Sequence, residues 1–155
     1  MVQQRPTLGY DSTLVEAPAH PRNRELLSYW ERRRTPGGPI LRARFEPLDV
    51  PRLLPGIFMA EPIGGDYRFR LAGTDVEARL RRRVSGATLM EIYGPEFGPR
   101  SIELYDRVSR SIEPVVTRGH YCGDCFDHVE FEVLHLPIRF DSGALGVLGG
   151  QFAFP

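Results

Sequence analysis

The run His120-Tyr121-Cys122-Gly123-Asp124-Cys125-Phe126-Asp127-His128 concentrates the most reactive side chains of the sequence in one loop. Two thiolates separated by two residues can share a tetrahedral zinc, and His120 and His128 would complete four ligands. The same cysteines could instead cycle between dithiol and disulfide. The third reading is a plain hairpin turn at Gly123-Asp124 with incidental flanking side chains. The turn is the ordinary case, because structural zinc sites draw their second ligand pair from a separate element.

Elsewhere the polar candidates are fewer. His135 lies in an apolar strand-like run, where a histidine is more often a hydrogen-bonded core residue than a base, and Glu132 close by is a candidate polar partner on its face. Arg68 and Arg70 alternate with Tyr67, Phe69 and Leu71, so the arginines belong to the outer face of a strand. Were they turned inward, the ligand would be an anion. No nucleophile elbow, phosphate loop, dinucleotide fingerprint or paired-carboxylate motif is present, so the sequence does not read as an enzyme.

The charges exclude a further class. All 20 basic residues are Arg, balanced by 20 acids to a net charge of zero, and a nucleic-acid footprint needs an excess on one face. The runs Arg32-Arg33-Arg34 and Arg81-Arg82-Arg83 each close an expected helix, where positive charge offsets the helix dipole by about 0.3–1 kcal/mol.

The elements that must position these residues turn on Tyr67–Tyr93. A two-residue period through Tyr67, Phe69 and Leu71 gives a strand; Ala72-Gly73 breaks it, and Thr74 with Glu77 fits a capping box for a short helix from Asp75. Ser85-Gly86 stops that helix, and Leu89, Met90, Ile92 and Tyr93 form an apolar clasp. Before it, residues 1–22 read as an extended arm. Asn23 caps a helix carrying Leu26, Leu27 and Trp30, and Ile57–Ala60 forms a strand joined to Tyr67 by the turn Gly64-Gly65-Asp66. Trp30 either covers a face of its own core or anchors a dimer.

After the clasp, Ile102, Tyr105, Val108 and Ile112 recur at helical spacing until Pro114. Three strands follow: one opening with Val115-Val116-Thr117, then Val129–Ile138, then Leu145–Phe152 after an Asp141-Ser142-Gly143 turn. Val129, Phe131 and Val133 occupy one phase and Leu134, Leu136 and Ile138 the other, which predicts a bulge or face change near Val133-Leu134. Gly146, Gly149 and Gly150 leave a thin last strand that permits close approach of a helix or a ligand.

With 155 residues, 41% apolar and 26% charged, the chain suits one domain, residues 23–155, that buries about 68–70% of its unfolded surface without disulfide staples. No apolar run approaches the roughly 18 residues of a membrane span, and residues 1–20 lack a signal-peptide core, so a cytoplasmic protein is expected.

Five antiparallel strands with a helical block between the second and third is the layout of a PAS domain. Leu53-Leu54-Pro55, Tyr67-Arg68-Phe69-Arg70-Leu71-Ala72-Gly73-Thr74, Ser85-Gly86-Ala87-Thr88-Leu89 and Glu132-Val133-Leu134-His135-Leu136-Pro137-Ile138 fall in the order and spacing of a bacterial, alphaproteobacterial-type PAS family of stand-alone proteins of unknown function. With the Trp30 helix, the resemblance covers about residues 24–152. That family usually has a glycine where this chain reads Arg81-Arg82-Arg83.

The resemblance implies an α+β PAS fold. Its sheet order is 2-1-5-4-3, counting strands along the chain, with helices on one face and an extra N-terminal helix. It implies a non-catalytic sensor that holds a small ligand between sheet and helices or pairs with a homodimer or signalling partner, with no nucleic acid and no membrane. The residues aimed at that space are Phe69, Leu71, Leu89, Ile92, Tyr105, Val108, Leu134, Leu136 and Val147. Haem-binding sensors of this fold commonly use a His on the long helix, and residues 99–112 have neither His nor Cys; both cysteines lie outside the motif of flavin photoreceptors, and citrate-type sensors face the periplasm. The cofactor stays unknown.

Overall fold

The computed structural model describes residues 9–122 and 129–155. Its sheet is built from β1 (Gly9–Val15), β2 (Ile40–Leu41), β3 (Ile57–Ile63), β4 (Asp66–Ala72), β5 (Val115–Cys122), β6 (Glu130–Arg139) and β7 (Leu145–Ala153). The order is β1-β5-β6-β7-β3-β4 with antiparallel neighbours, and β2 runs parallel beside Ile138 and Arg139. Without β1 and β2 this is the expected 2-1-5-4-3. The added edge strand β1 comes from the segment read as an arm. It approaches β5 so closely at Gly119 that a Cβ there would sit 1.5 Å from the Asp11 carbonyl oxygen.

Both faces of the sheet are covered, and this explains β6. Phe131 and Val133 pack with Phe58, Phe69 and Val147 under one set of helices, whereas Leu134, Leu136 and Ile138 pack with Met59 and Leu148 on the opposite face. The register of β6 with β5 and β7 is continuous, so the expected bulge near Val133-Leu134 is not there. A strand buried on both faces carries apolar residues in both phases with no change of face.

The irregularity lies in β4 instead. Met59 pairs with Leu71 but Ala60 pairs with Phe69, so Arg70 is the extra residue of a β-bulge. One inserted residue inverts the alternation. Tyr67 and Phe69 are buried, while Leu71 turns to the other face and is 37% exposed.

Helix α1 (Pro21–Arg33) starts earlier than Asn23. The His20 imidazole accepts from the Arg22 N–H at 3.1 Å and Pro21 takes the first helical position. Asn23 is therefore inside the helix and fully buried. Gly150 admits the helix: a Cβ there would meet Asn23 Oδ1 at 2.4 Å and Leu26 at 2.7 Å. Trp30 is 1% exposed, donates its indole N–H to the Pro137 carbonyl at 3.0 Å and lies beneath the Arg34 guanidinium at 4.1 Å. The dimer-anchor expectation is corrected accordingly, since Trp30 has no surface left to offer a partner.

The opposite face carries α2 (Thr74–Leu80) and α3 (Leu89–Ser111). Gly73, not Thr74, caps α2, because Gly73 is wedged against the backbone of Leu54 and Pro55 where no side chain fits. The expected capping box is absent, and Glu77 accepts from the Val84 N–H at 2.7 Å instead. Arg81 ends α2 at φ 53°, a left-handed conformation that glycine adopts most cheaply, within the Arg81-Arg82-Arg83 stretch where the resemblance expects a glycine. Thr88 caps α3, and Gly94 at φ 76° breaks it between the apolar clasp and the long helix that Pro95 restarts.

Candidate functional site

A chamber of about 30 Å³ lies between the sheet and the α2–α3 layer. The sheet supplies its floor as two cross-strand rows. One is Val115, His135 and Gly149; the next is Thr117, Val133 and Gln151, across β5, β6 and β7. Because β6 alternates without interruption, His135, Val133 and Phe131 share this face. The missing side chain of Gly149 leaves room for the Phe58 ring, which would come within 1.9 Å of a Cβ there. Val76 and Leu80 from α2 and Tyr93, Ser101, Leu104 and Tyr105 from α3 close the chamber.

The rings interlock. Tyr105 lies 6.3 Å from Phe58 and 5.6 Å from His135, and Tyr67 meets Tyr105 edge-on at 5.3 Å. Tyr67 also ties the sheet to α3, donating to Asp106 at 2.7 Å, and burial pushes its hydroxyl up to about 12. Among the described residues, none of the lining side chains is Arg, Lys, Asp or Glu. His135 does not supply a charge either: burial lowers its pKa to about 4, so the ring is neutral at physiological pH. Its Nδ1 is 3.1 Å from the Val115 carbonyl. A carbonyl only accepts, so Nδ1 carries the proton and Nε2 is left as an acceptor. Ser101 donates to the Phe97 carbonyl at 3.1 Å. Among the described residues, neither the Gln151 carboxamide nor the Thr117 hydroxyl has a hydrogen-bond partner, although the two residues are only 4% and 5% exposed.

A second polar cluster sits on the other face. Glu132 is fully buried and accepts from the backbone N–H groups of Ala19 at 2.9 Å and His20 at 3.0 Å, from Asn23 Nδ2 at 3.2 Å and from Arg118 Nε at 2.8 Å. Burial works to raise its pKa, but the donors outweigh burial and hold the carboxyl below its ordinary value. This carboxylate pins the entry of α1 to the sheet. It does not face His135: a separation of three along a strand puts the two on opposite faces.

Of the residues expected at a ligand, Phe69 and Tyr105 line the chamber. Leu89, Ile92, Val108 and Val147 belong to the apolar cluster around it without lining it. Leu134 and Leu136 lie on the α1 face, and Leu71 is carried to that side of the sheet by the bulge. Thr117, Gln151, Val133 and Phe58 were not expected; extending the alternation of Val115-Val116-Thr117 and of Gly149–Phe152 would have found the first two. Cys125 and His128 lie outside the described residues, as does the Cys122 side chain, and the described residues contain no cluster of metal-ligating side chains.

A family model described as a PAS domain matches residues 18–151, and the chain belongs to that family. No curated protein and no solved structure matches it. PAS domains are sensory or interaction modules, generally without catalysis, that commonly bind small ligands or partner proteins. No helix among the described residues is long and apolar enough to cross a membrane.

Proposed function

We propose that this PAS domain is a non-catalytic sensor that admits a small molecule to the chamber and reports its presence through α2 and α3. The observation that carries the reading is the pair of polar residues in the chamber floor, Gln151 and Thr117, only 4% and 5% exposed, whose side chains hydrogen-bond to no other described residue. Buried polar groups in native proteins nearly always find partners, so an unpaired pair at a cavity argues for a partner that enters.

The volume supports reporting as well as binding. About 30 Å³ exceeds the about 10–15 Å³ that a water needs but falls well short of the about 300–1,000 Å³ of ordinary ligand sites. A guest of more than a few heavy atoms must displace Leu80 and Leu104, and with them the helices. In this reading Phe69 and Tyr105 touch the guest, Leu89, Ile92, Val108 and Val147 form the shell that gives, and Leu71, Leu134 and Leu136 take no part.

Native mass spectrometry of freshly purified protein tests the proposal. The expected result is a reproducible organic adduct, or one restored by a fragment library. It is lost in Val133→Phe, which fills the chamber while circular dichroism shows the fold retained. A chain that stays bare with every fragment, or an adduct that Val133→Phe leaves intact, refutes it.

A further inference from the structure

We infer that the chamber selects an uncharged guest carrying a hydrogen-bond donor and acceptor on one edge, as a primary carboxamide does, and that Gln151 reads that edge. This rests on the chamber being a ligand site.

Three observations combine. First, the wall has no charged side chain among the described residues, and Arg68 lies on β4 in the phase opposite to Tyr67 and Phe69, away from the chamber. A carboxylate or an ammonium would lose its hydration and meet no counter-charge, a balance that strongly favours neutral guests. Second, the groups left for a guest are of both kinds. Gln151 presents an N–H donor and a carbonyl acceptor, Thr117 a hydroxyl that can act either way, and His135 an Nε2 lone pair, because its N–H is committed to the Val115 carbonyl. Third, these groups lie close together on the sheet. Thr117 and Gln151 flank Val133 in one cross-strand row, and His135 is two residues along the same strand on the same face.

A guest with acceptors alone leaves the His135 nitrogen and the Gln151 oxygen unpaired; one with donors alone leaves the Gln151 amide hydrogens unpaired. A carboxamide answers the Gln151 carboxamide with two antiparallel hydrogen bonds and has a further N–H for His135. Phe58, Phe69 and Tyr105 supply apolar surface for whatever the amide is attached to.

Amide-resolved NMR titration of the full chain with two shape-matched pairs, acetamide against acetate and benzamide against benzoate, tests the inference at two guest sizes. The amides are expected to shift the resonances of Thr117, Val133, His135 and Gln151 and to bind at least tenfold tighter than their acids at pH 7.5. Gln151→Met, close in shape and without the carboxamide, should weaken the amides at least tenfold and remove that preference. Should Gln151→Met lose its native spectrum, Thr117→Val serves instead, with a loss of at least threefold expected. Acids that bind as well as amides, or amides indifferent to the substitution, overturn the inference and leave the ligand site standing. Chamber resonances unmoved by all four probes and by a general fragment library overturn both.

Discussion

His135→Asn should flatten the stability of this domain between pH 7.5 and pH 5. The native imidazole titrates at about 4, lowered by burial, whereas the unfolded chain offers a histidine of about 6.5. As pH falls through 6.5 the unfolded state takes up the proton first, so folding stability is intact above that value, is lost progressively down to about pH 4 and is then constant as far as this group is concerned. At about 1.4 kcal/mol per pH unit between the two values, the full loss is about 3 kcal/mol, of which about 2 kcal/mol has occurred by pH 5. Glu132 destabilises in the same direction, but only as its carboxylate protonates at still lower pH, which is why pH 5 separates the two. Urea unfolding of wild type and His135→Asn at pH 7.5 and 5.0 gives the comparison. Asn can keep a donor near the Val115 carbonyl, and the difference between the two proteins should shrink by about 2 kcal/mol at the lower pH. An equal pH dependence in both, together with an NMR titration of the His135 ring near 6.5, would refute the argument that the chamber floor keeps this ring neutral.

Two further perturbations probe the α1 face. Glu132→Ala removes the acceptor from two backbone amides, Asn23 and Arg118; it should cost about 3 kcal/mol, the low end for a broken buried pair because Arg118 keeps about a third of its side chain in water, and should speed hydrogen exchange at Ala19 and His20. Trp30→Ala should cost about 3–5 kcal/mol in chemical denaturation and leave the sedimentation mass unchanged, because the indole is core; a change of mass at unchanged stability would restore the dimer anchor.

The fold was legible because its signals are local and ordered along the chain. The period-two run at Tyr67, the glycine stops at Gly86 and Gly143, and the helical spacing from Ile102 to Val108 each point to one element, and their sequence permits few topologies. What escaped was set by contacts between distant segments. The cap of α2 passed from Thr74 to Gly73 because the turn before β3 presses on residue 73. Residues 9–15 became a strand only because β5, more than a hundred positions later, offers an open edge and, at Gly119 opposite Ser12, room for the Asp11 carbonyl.

The site was read less well, for a reason of parity. On a strand with one wet face, polar residues mark the outside, and Leu134 and Leu136 read as one inward phase as readily as Phe131 and Val133 read as another. With both faces of β6 buried, that mark disappears and either phase looks like the core. The decision then rests on the neighbours: Gln151 is the one polar residue of β7, Thr117 shares its cross-strand row, and register places both beside Val133. A polar side chain in an otherwise apolar floor is more informative than any apolar one, because packing alone gives it no reason to be there. Gln151 and Thr117 therefore assign the chamber to the phase of Phe131, Val133 and His135, and the bulge at Arg70 is what keeps Phe69 in its wall while turning Leu71 away.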